Sequence, residues 1–319
     1  MLDATIKHIF QYTLLSACLF CSFSCGNSKQ AEDSEKAEQI MSEIKSMYAG
    51  KDYDNAMLMI DSLMKTYPGL IDVQRKAMHI QTMITEKRTL ADSIANEKVL
   101  EQSMAAADSI KHNLKFVKSA DMVEGYFVDK TMPDDGIPSV TGIVARVAEH
   151  GDISLLSSLR GHRIRHTRIC AIADTANVAT GNVPPSNSRN YRYNDNGQNV
   201  ELVTFNAQEC GDFLSFIAQN TTLPITIKFV NGSKSYKQVL SQKEKSAIEN
   251  VVNYATAITA AHDAANMRLK FARKLQLARK QIKQTATNIQ GDRYYNLNKK
   301  SKYIWDFLIS SARKRKKRW

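Results

Sequence analysis

Short motifs that mark a catalytic centre are missing from this sequence. It has no glycine-rich loop that would hold a phosphate, no nucleophile elbow around a serine and no paired Cys-x-x-Cys zinc site. The stretch RYNDNG (192–197) is close to a calcium-binding loop, but it has Arg192 at the first ligand position and Val203 where a glutamate is required. We therefore predict no metal site, no cofactor and no catalytic residue, and expect binding or scaffolding instead of catalysis.

Acidic residues are scarce at the C-terminal end, and this imbalance accounts for most of the basicity of the chain. Within 299–319, nine lysines and arginines stand against Asp306, which gives +8 of the formal net charge of +12 and leaves +4 for the rest. The segment also carries Tyr303, Trp305 and Phe307 beside six consecutive basic residues. We predict a basic tail over 288–319, with its charge in 299–319, and three interpretations of it are open: contact with an anionic membrane surface, electrostatic binding of nucleic acid, or a dispensable extension.

Cysteine is rare in the sequence and unevenly placed. Three of the five cysteines lie within 18–25, at the end of an uncharged run over 9–24. A membrane-spanning helix needs about 20 apolar residues, so the run is too short to span and instead suits the core of a signal peptide. We predict a lipoprotein signal peptide over 1–24 with lipidation of Cys25, and Cys18 as the alternative. An uncleaved signal anchor and a chain without any signal are the competing interpretations.

The chain turns polar after the predicted lipidation site, and we expect a flexible tether over 25–36. Apolar residues then recur at helical spacing, with a break at Gly50 and a stop at Pro68. The pattern resembles a tetratricopeptide repeat at Tyr48, Gly50, Tyr53, Ala56, Tyr67 and Pro68. Because about three such repeats are needed for a stable stack, a plain helical hairpin is the alternative.

Proline and glycine are absent from Leu70 to Val117, so nothing in that stretch ends a helix. A second stretch with apolar residues spaced by threes and fours occupies 241–287. Long amphipathic helices need a partner along their length. We therefore predict that 37–118 contains the helical hairpin and a first long helix, and that this helix forms an antiparallel coiled coil with the second.

Residues 119–240, between the long helices, consist of short runs rich in β-branched and aromatic residues. Asn196-Gly197 predicts a hairpin, because a type I′ turn needs positive φ at both central residues. One amphipathic stretch, 210–220, predicts a helix. The expected fold class is α+β: a domain of about six or seven mostly antiparallel strands and one helix, flanked in the chain by the long helices.

The best candidate for a binding site is the run GHRIRHTR at 161–168. If this run is a strand, alternate side chains share one face, and that face is basic. Two histidines four positions apart on a strand are too far apart to share a metal easily, and catalytic zinc needs a third protein ligand. We therefore predict an anion or acidic-polymer site, formed by His162, Arg163, Arg165, His166 and Arg168.

Two cysteines remain if the predicted signal peptide is removed, Cys170 and Cys210. Export to an oxidising compartment favours disulfides, and a bond between these two would close a loop of about forty residues. We favour two buried, unpaired cysteines, with this disulfide as the alternative.

The order of these segments resembles that of uncharacterised exported lipoproteins of Bacteroides-type bacteria. The similarity includes the Ser-Cys-Gly-Asn junction at 24–27 and the runs GYFV, TGIVARV, LSSLRGHRIRH and VTF, and it covers most of 25–287. The resemblance implies a lipid-anchored protein of the cell envelope with this architecture, and it carries no known activity.

These patterns predict a membrane-anchored cell-envelope lipoprotein that presents an α+β domain on a helical stalk to an envelope protein or polymer. One alternative is an envelope hydrolase that acts on a polymer through the His162–His166 region. Another, for a chain that is not exported, is a nucleic-acid binder that uses the basic tail. No nucleic-acid partner is expected for an exported chain.

The lipidation prediction is tested by the intact mass of the protein purified from its native membrane, compared with a Cys25→Ser variant. We expect a mature chain that begins at residue 25 and carries added acyl mass, because two or more acyl chains hold a protein stably on a bilayer. The variant should lack that mass. An unprocessed, unlipidated parent chain would contradict the prediction.

Overall fold

The computed structural model of the protein describes residues 25–120 and 123–288. Within them lie five helices: α1 Cys25–Ala49, α2 Tyr53–Thr66, α3 Ile71–Lys111, α4 Ala207–Gln219 and α5 Gln242–Asn288. The same residues contain ten strands: β1 Leu114–Val117, β2 Tyr126–Asp129, β3 Gly142–Ala148, β4 Ile153–Arg160, β5 Arg168–Ala173, β6 Ala176–Ala179, β7 Asn190–Asp195, β8 Gln198–Phe205, β9 Thr226–Asn231 and β10 Lys234–Val239. The predicted signal peptide with Cys18, and the basic tail beyond 288, lie outside the described residues.

The prediction of an α+β fold, with long helices before and after a β domain in the chain, is confirmed. Two boundaries differ from the prediction. The segment 25–36 is not a flexible tether but the first part of α1, which Lys36 and Glu32 support with an i, i+4 ion pair of 2.7 Å. The first long helix ends at Lys111, because 114–117 pairs with β2 as a strand instead of continuing the helix.

The chain forms two compact units, whose boundaries lie inside α3 and α5. The first unit contains the described chain up to Asp92 and again from Phe271, and the second contains Ser93–Lys270. Among the helices of the described residues, none is both long enough and apolar enough to cross a membrane.

In the first unit, α1 and α2 form the predicted helical hairpin. The hairpin and α3 share a core in which Ala37, Met41, Ile44, Ala56, Ile60 and Leu63 are almost fully buried. Polar contacts within this unit join α3 to α5: Glu86 accepts a hydrogen bond from Arg279 (2.9 Å), and His79 contacts Thr285 (2.5 Å). The earlier residue of α3, His79, contacts the later residue of α5, and Glu86 contacts the earlier one. The paired segments of this unit are therefore antiparallel.

In the second unit, the remaining parts of α3 and α5 pair in the same sense. Asn96 donates a hydrogen bond to the Ala264 carbonyl at 2.8 Å, and Leu100 packs against Ala261. A charged pair reinforces this seam, since Arg268 donates two hydrogen bonds to the carboxylate of Glu97, at 2.5 and 2.9 Å.

Two antiparallel sheets make up the β part of the second unit. Sheet A has the strand order β1-β2-β3-β4-β8-β7, and sheet B has the order β10-β9-β5-β6. The expectation of about six or seven strands is therefore wrong. The sequence underestimated the number because β1 continues a helical pattern and β6 is a four-residue strand of small and polar residues.

Both sheets contribute one face to a shared hydrophobic core. Strand alternation places Leu155, Phe205, Ile169 and Phe229 in this core, together with residues of α4 and α5. The opposite face of sheet A covers a smaller cluster around Val144. A polar side chain on the core-facing side of either sheet can therefore be buried, whereas one on the outward side of sheet B can reach solvent.

Candidate functional site

Three polar side chains occupy core positions next to sheet A. Ser157 lies on β4, Glu201 lies on the neighbouring strand β8, and His166 lies in the connection between β4 and β5; each is 0% exposed. We call these residues the buried triad. Burial of a polar or charged group costs free energy unless it is hydrogen-bonded, so their partners decide whether this cluster is stable.

The hydrogen bonds of the buried triad run from a hydroxyl through an imidazole to a carboxylate. His166 Nδ1 lies 2.9 Å from Oε2 of Glu201, and its Nε2 lies 2.8 Å from Oγ of Ser157. An ionised carboxylate only accepts hydrogen bonds, so Nδ1 carries the proton and donates it. The neutral ring then leaves Nε2 as an acceptor for the Ser157 hydroxyl.

Glu201 receives two further hydrogen bonds from the backbone. The N–H of Arg165 donates to Oε1 at 2.7 Å, and the N–H of His166 donates to Oε2 at 2.9 Å. Arg165 has a positive φ of 58°, a conformation that is unusual for a residue other than glycine. These two hydrogen bonds to the carboxylate therefore stabilise the unfavourable backbone conformation at Arg165.

The environment of the triad shifts both of its titratable groups. Burial lowers the pKa of His166 below its ordinary value of 6.5, and the positive charge of Arg192 acts in the same direction, against the attraction of Glu201. Burial on its own would raise the pKa of Glu201, but the hydrogen bonds from the His166 ring and from two backbone N–H groups outweigh it. The pKa of Glu201 therefore lies below its ordinary value of 4.5.

The order serine, histidine, carboxylate is the one that activates a serine nucleophile in hydrolases. A nucleophile, however, must reach its substrate, and Ser157 has no exposed surface in this conformation. Its hydroxyl oxygen also lies 3.3 Å from the Val203 carbonyl. The arrangement therefore acts chemically as a buried, hydrogen-bonded network that fixes the backbone at 165–166.

The five residues of the predicted anion site do not share one face: one is buried and four are exposed. Residues 162–167 are not a strand, because the positive φ of Arg165 interrupts the alternation on which a shared face depends. His166 points into the core and is not part of a surface site. His162, Arg163, Arg165 and Arg168 are exposed, and the ring of His162 stacks on Tyr236 with centroids 4.1 Å apart.

We call residues 161–168 the arginine segment. Its exposed arginines, Arg163, Arg165 and Arg168, form no ion pair with any residue in the described parts of the chain. Most other arginines of this unit are engaged: Arg189 pairs with Glu209, for example. The segment thus combines a fixed backbone with three available guanidinium groups.

Cys170 and Cys210 are both free thiols in this structure, which agrees with unpaired cysteines and not with a disulfide between them. Cys210 lies on α4 in the shared core, where burial raises the pKa of its thiol to about 12. Cys170 lies on β5 between Ile169 and Ala171, which face that core. Strand alternation directs Cys170 to the other side of sheet B, away from α4.

The calcium-like stretch is the turn of the β7–β8 hairpin. Asn196 and Gly197 have positive φ values of 50° and 83°, as the sequence predicts for this turn. Across 25–120 and 123–288, no group of three or more histidines, cysteines or acidic residues is placed to hold a metal ion.

Sequence reasoning missed Ser157 and Glu201. A signal for Glu201 was present in the sequence. It is the one charged residue of β8, and strand alternation places it on the same face as Val203 and Phe205. Nothing in the sequence indicated that its partner would be His166, since the two residues belong to segments that meet only in the folded sheet.

Comparison with protein-family models, with curated proteins and with solved structures finds no match to this chain. The resemblance to exported lipoproteins therefore stays a prediction, and the functional argument depends on the geometry of the site.

The triad predicts that acid destabilises the second unit. The unfolded chain takes up a proton at His166 near pH 6.5, but the folded chain does so only at lower pH, so stability present above 6.5 is lost as the pH falls below it. Glu201 adds a further loss below about pH 4.5 for the same reason. The slope from His166 alone reaches at most about 1.4 kcal/mol per pH unit.

Urea unfolding of the parent chain and of His166→Gln, measured at intervals between pH 8 and pH 5, checks this expectation. We expect His166→Gln to be less stable at pH 8, because the network is broken, and to lose less stability than the parent between pH 7 and pH 5. The exposed His162→Gln serves as the matched control and should follow the parent. Equal slopes for the parent and His166→Gln would contradict the role assigned to the buried imidazole.

Proposed function

We propose that this chain is a membrane-anchored cell-envelope protein with a binding or scaffolding role, and that it binds an anionic partner through the arginine segment. One observation carries the proposal: three exposed arginines, which form no ion pair with any described residue, project from a backbone that is fixed by a buried carboxylate. Guanidinium groups bind carboxylates and phosphates with paired hydrogen bonds, so an oxyanion is the chemistry that this surface suits.

The fixed backbone supports binding because it reduces the entropy lost when a ligand is bound. Besides the two N–H groups that donate to Glu201, Thr167 donates its N–H to the Val230 carbonyl at 3.0 Å. Asn199 donates its side-chain N–H to the His162 carbonyl at 2.6 Å. The segment is thus held at both ends and in the middle, while its arginine side chains stay in water.

The anchoring part of the proposal rests on the sequence. Lipidation of Cys25 would attach the chain to a membrane, and the basic tail 299–319 would add electrostatic contact with anionic lipids. If the chain is not exported, the same tail favours nucleic-acid binding instead. The intact-mass measurement described above separates these cases.

Binding to immobilised heparin, used as a probe polyanion, tests the arginine segment. The comparison uses full-length protein in which the six basic residues 313–318 are changed to glutamine, so that the tail does not mask the effect. We expect Arg163→Gln/Arg165→Gln to bind about tenfold more weakly than this parent, since exposed charge contacts contribute fractions of a kcal/mol each. The charge-matched control Lys130→Gln/Lys243→Gln changes two exposed lysines elsewhere in the second unit and should bind like the parent. Equal affinity of the arginine variant and the control would reject the proposal.

A second candidate function is a hydrolase that acts on a polymer through the His162–His166 region. The distances in the buried triad favour it, since Ser157, His166 and Glu201 have the order and spacing of a nucleophile and its base. It also requires an opening that exposes Ser157.

A fluorophosphonate probe, which reacts with activated serines, separates the two functions. We expect no labelling of the full-length protein at pH 7.5, because Ser157 is fully buried. Labelling that maps to Ser157 and is lost in both Ser157→Ala and His166→Ala would instead establish the hydrolase. Trypsin labelled in parallel shows that the probe is active.

A further inference from the structure

The strands next to the arginine segment add two cations, Lys228 and Lys237, on the same outward face of sheet B as Arg168. We propose that this face, together with the arginine segment, binds a linear acidic polysaccharide. The inference rests on the proposed function and names its ligand class. It depends on three residues, Arg168, Lys228 and Lys237, which we call the cation row.

Strand alternation places the cation row on the outward face. Ile227 and Phe229 of β9 are buried in the shared core, so Lys228 between them points the other way. On β5, Ile169 is buried in the same core, and Arg168 precedes it. Arg168 is exposed and Lys228 is partly exposed, which agrees with this placement.

The pairing register aligns these cations across three adjacent strands. Lys237 of β10 lies directly opposite Lys228 of β9, and Lys228 lies opposite Cys170 of β5, two residues from Arg168. Directly opposed residues are about 5 Å apart and diagonal ones about 7–8 Å. The row therefore presents three positive charges in a line that crosses the strands.

The arginine segment is attached to the same end of sheet B. Asn231, the last residue of β9, donates a side-chain hydrogen bond to the Ile164 carbonyl at 3.1 Å. The N–H of Thr167 bonds to the Val230 carbonyl, next to Arg168. Arg168 belongs both to the arginine segment and to the cation row, so the two sets of cations meet at this residue.

The three members of the cation row carry charge of one sign, and the described part of the chain pairs none of them with a carboxylate. Like charges directly opposite each other destabilise a sheet, and Lys228 and Lys237 are such a pair. The remaining outward positions on the four strands hold no acidic residue: they are Ser235, Val239, Thr226, Val230, Cys170, Ile172, Asn177 and Ala179.

The other side chains of this face distinguish between classes of anionic polymer. None of them is aromatic, so the face has no platform on which the bases of a single-stranded nucleic acid could stack. Its apolar residues are the aliphatic Val230, Val239 and Ile172, whereas the centre of a protein interface is enriched in aromatic residues and methionine. Ser235, Thr226 and Asn177 provide hydroxyl and amide groups that can hydrogen-bond to sugar hydroxyls. A chain of sugars that carries carboxylates fits this combination of cations and small polar groups.

Binding of polygalacturonate to the full-length protein with glutamine at 313–318 tests the inference. We expect Lys228→Gln/Lys237→Gln to bind this probe about tenfold more weakly than the parent at low salt. The control Lys130→Gln/Lys243→Gln should bind like the parent. Urea unfolding of Lys228→Gln/Lys237→Gln should give the same midpoint as the parent or a higher one, because a like-charge pair has been removed. An unchanged or higher midpoint shows that weaker binding is not caused by unfolding of the variant.

The outcomes separate this inference from the proposed function. If Lys228→Gln/Lys237→Gln equals the control while Arg163→Gln/Arg165→Gln binds more weakly, the cation row is rejected and the arginine segment stands. If the parent binds neither polygalacturonate nor heparin, both are rejected. Tighter binding of the parent to a single-stranded DNA oligomer, or to phosphatidylglycerol vesicles, than to polygalacturonate would reject the polysaccharide as the ligand class.

Discussion

A carboxylate that is buried has to receive hydrogen bonds, and the second unit is built around this requirement at Glu201. Its oxygens accept one bond from the His166 ring and two from the backbone N–H groups of Arg165 and His166. All three donors belong to the connection that leads from sheet A to sheet B. Removal of the carboxylate would leave these donors without their partner, so the conformation of the connection between the two sheets depends on this side chain.

The same constraint explains why a rigid core and a charged surface lie so close together. Three cations stay in water at residues 163, 165 and 168, while the backbone between them is tied to the core through Glu201. In sheet B, alternation sends Phe229 into the core and Lys228 to the surface. A shift of one residue in the register would exchange these two sets, so the apolar core also specifies which face is basic.

The sequence predicted those features that depend on local periodicity. The helical hairpin, the long helices and the α+β class follow from residue spacing, and the Asn196-Gly197 turn follows from the φ values that it requires. Features that depend on one unusual backbone angle were not predictable. The positive φ of Arg165 sends His166 into the core and divides a run that looked like one basic strand face.

Partnerships between distant residues were also beyond the sequence. The bond between His166 and Glu201 exists only when β4, β8 and the connection to β5 are assembled. The separation of Cys170 from Cys210 likewise depends on the side of sheet B that each occupies. Spacing along the chain carries no information on either point, although a charged residue in the apolar strand β8 is a sign that a buried partner exists.

Strand β10 forms one border of sheet B, and within the described residues no strand pairs with the backbone N–H and C=O groups on that side. Such a border can recruit a strand from another molecule and begin aggregation. Lys234 and Lys237 stand on this strand and are exposed. Charged side chains on an edge strand disfavour such pairing, because Lys234 and Lys237 would repel the same residues of a second copy.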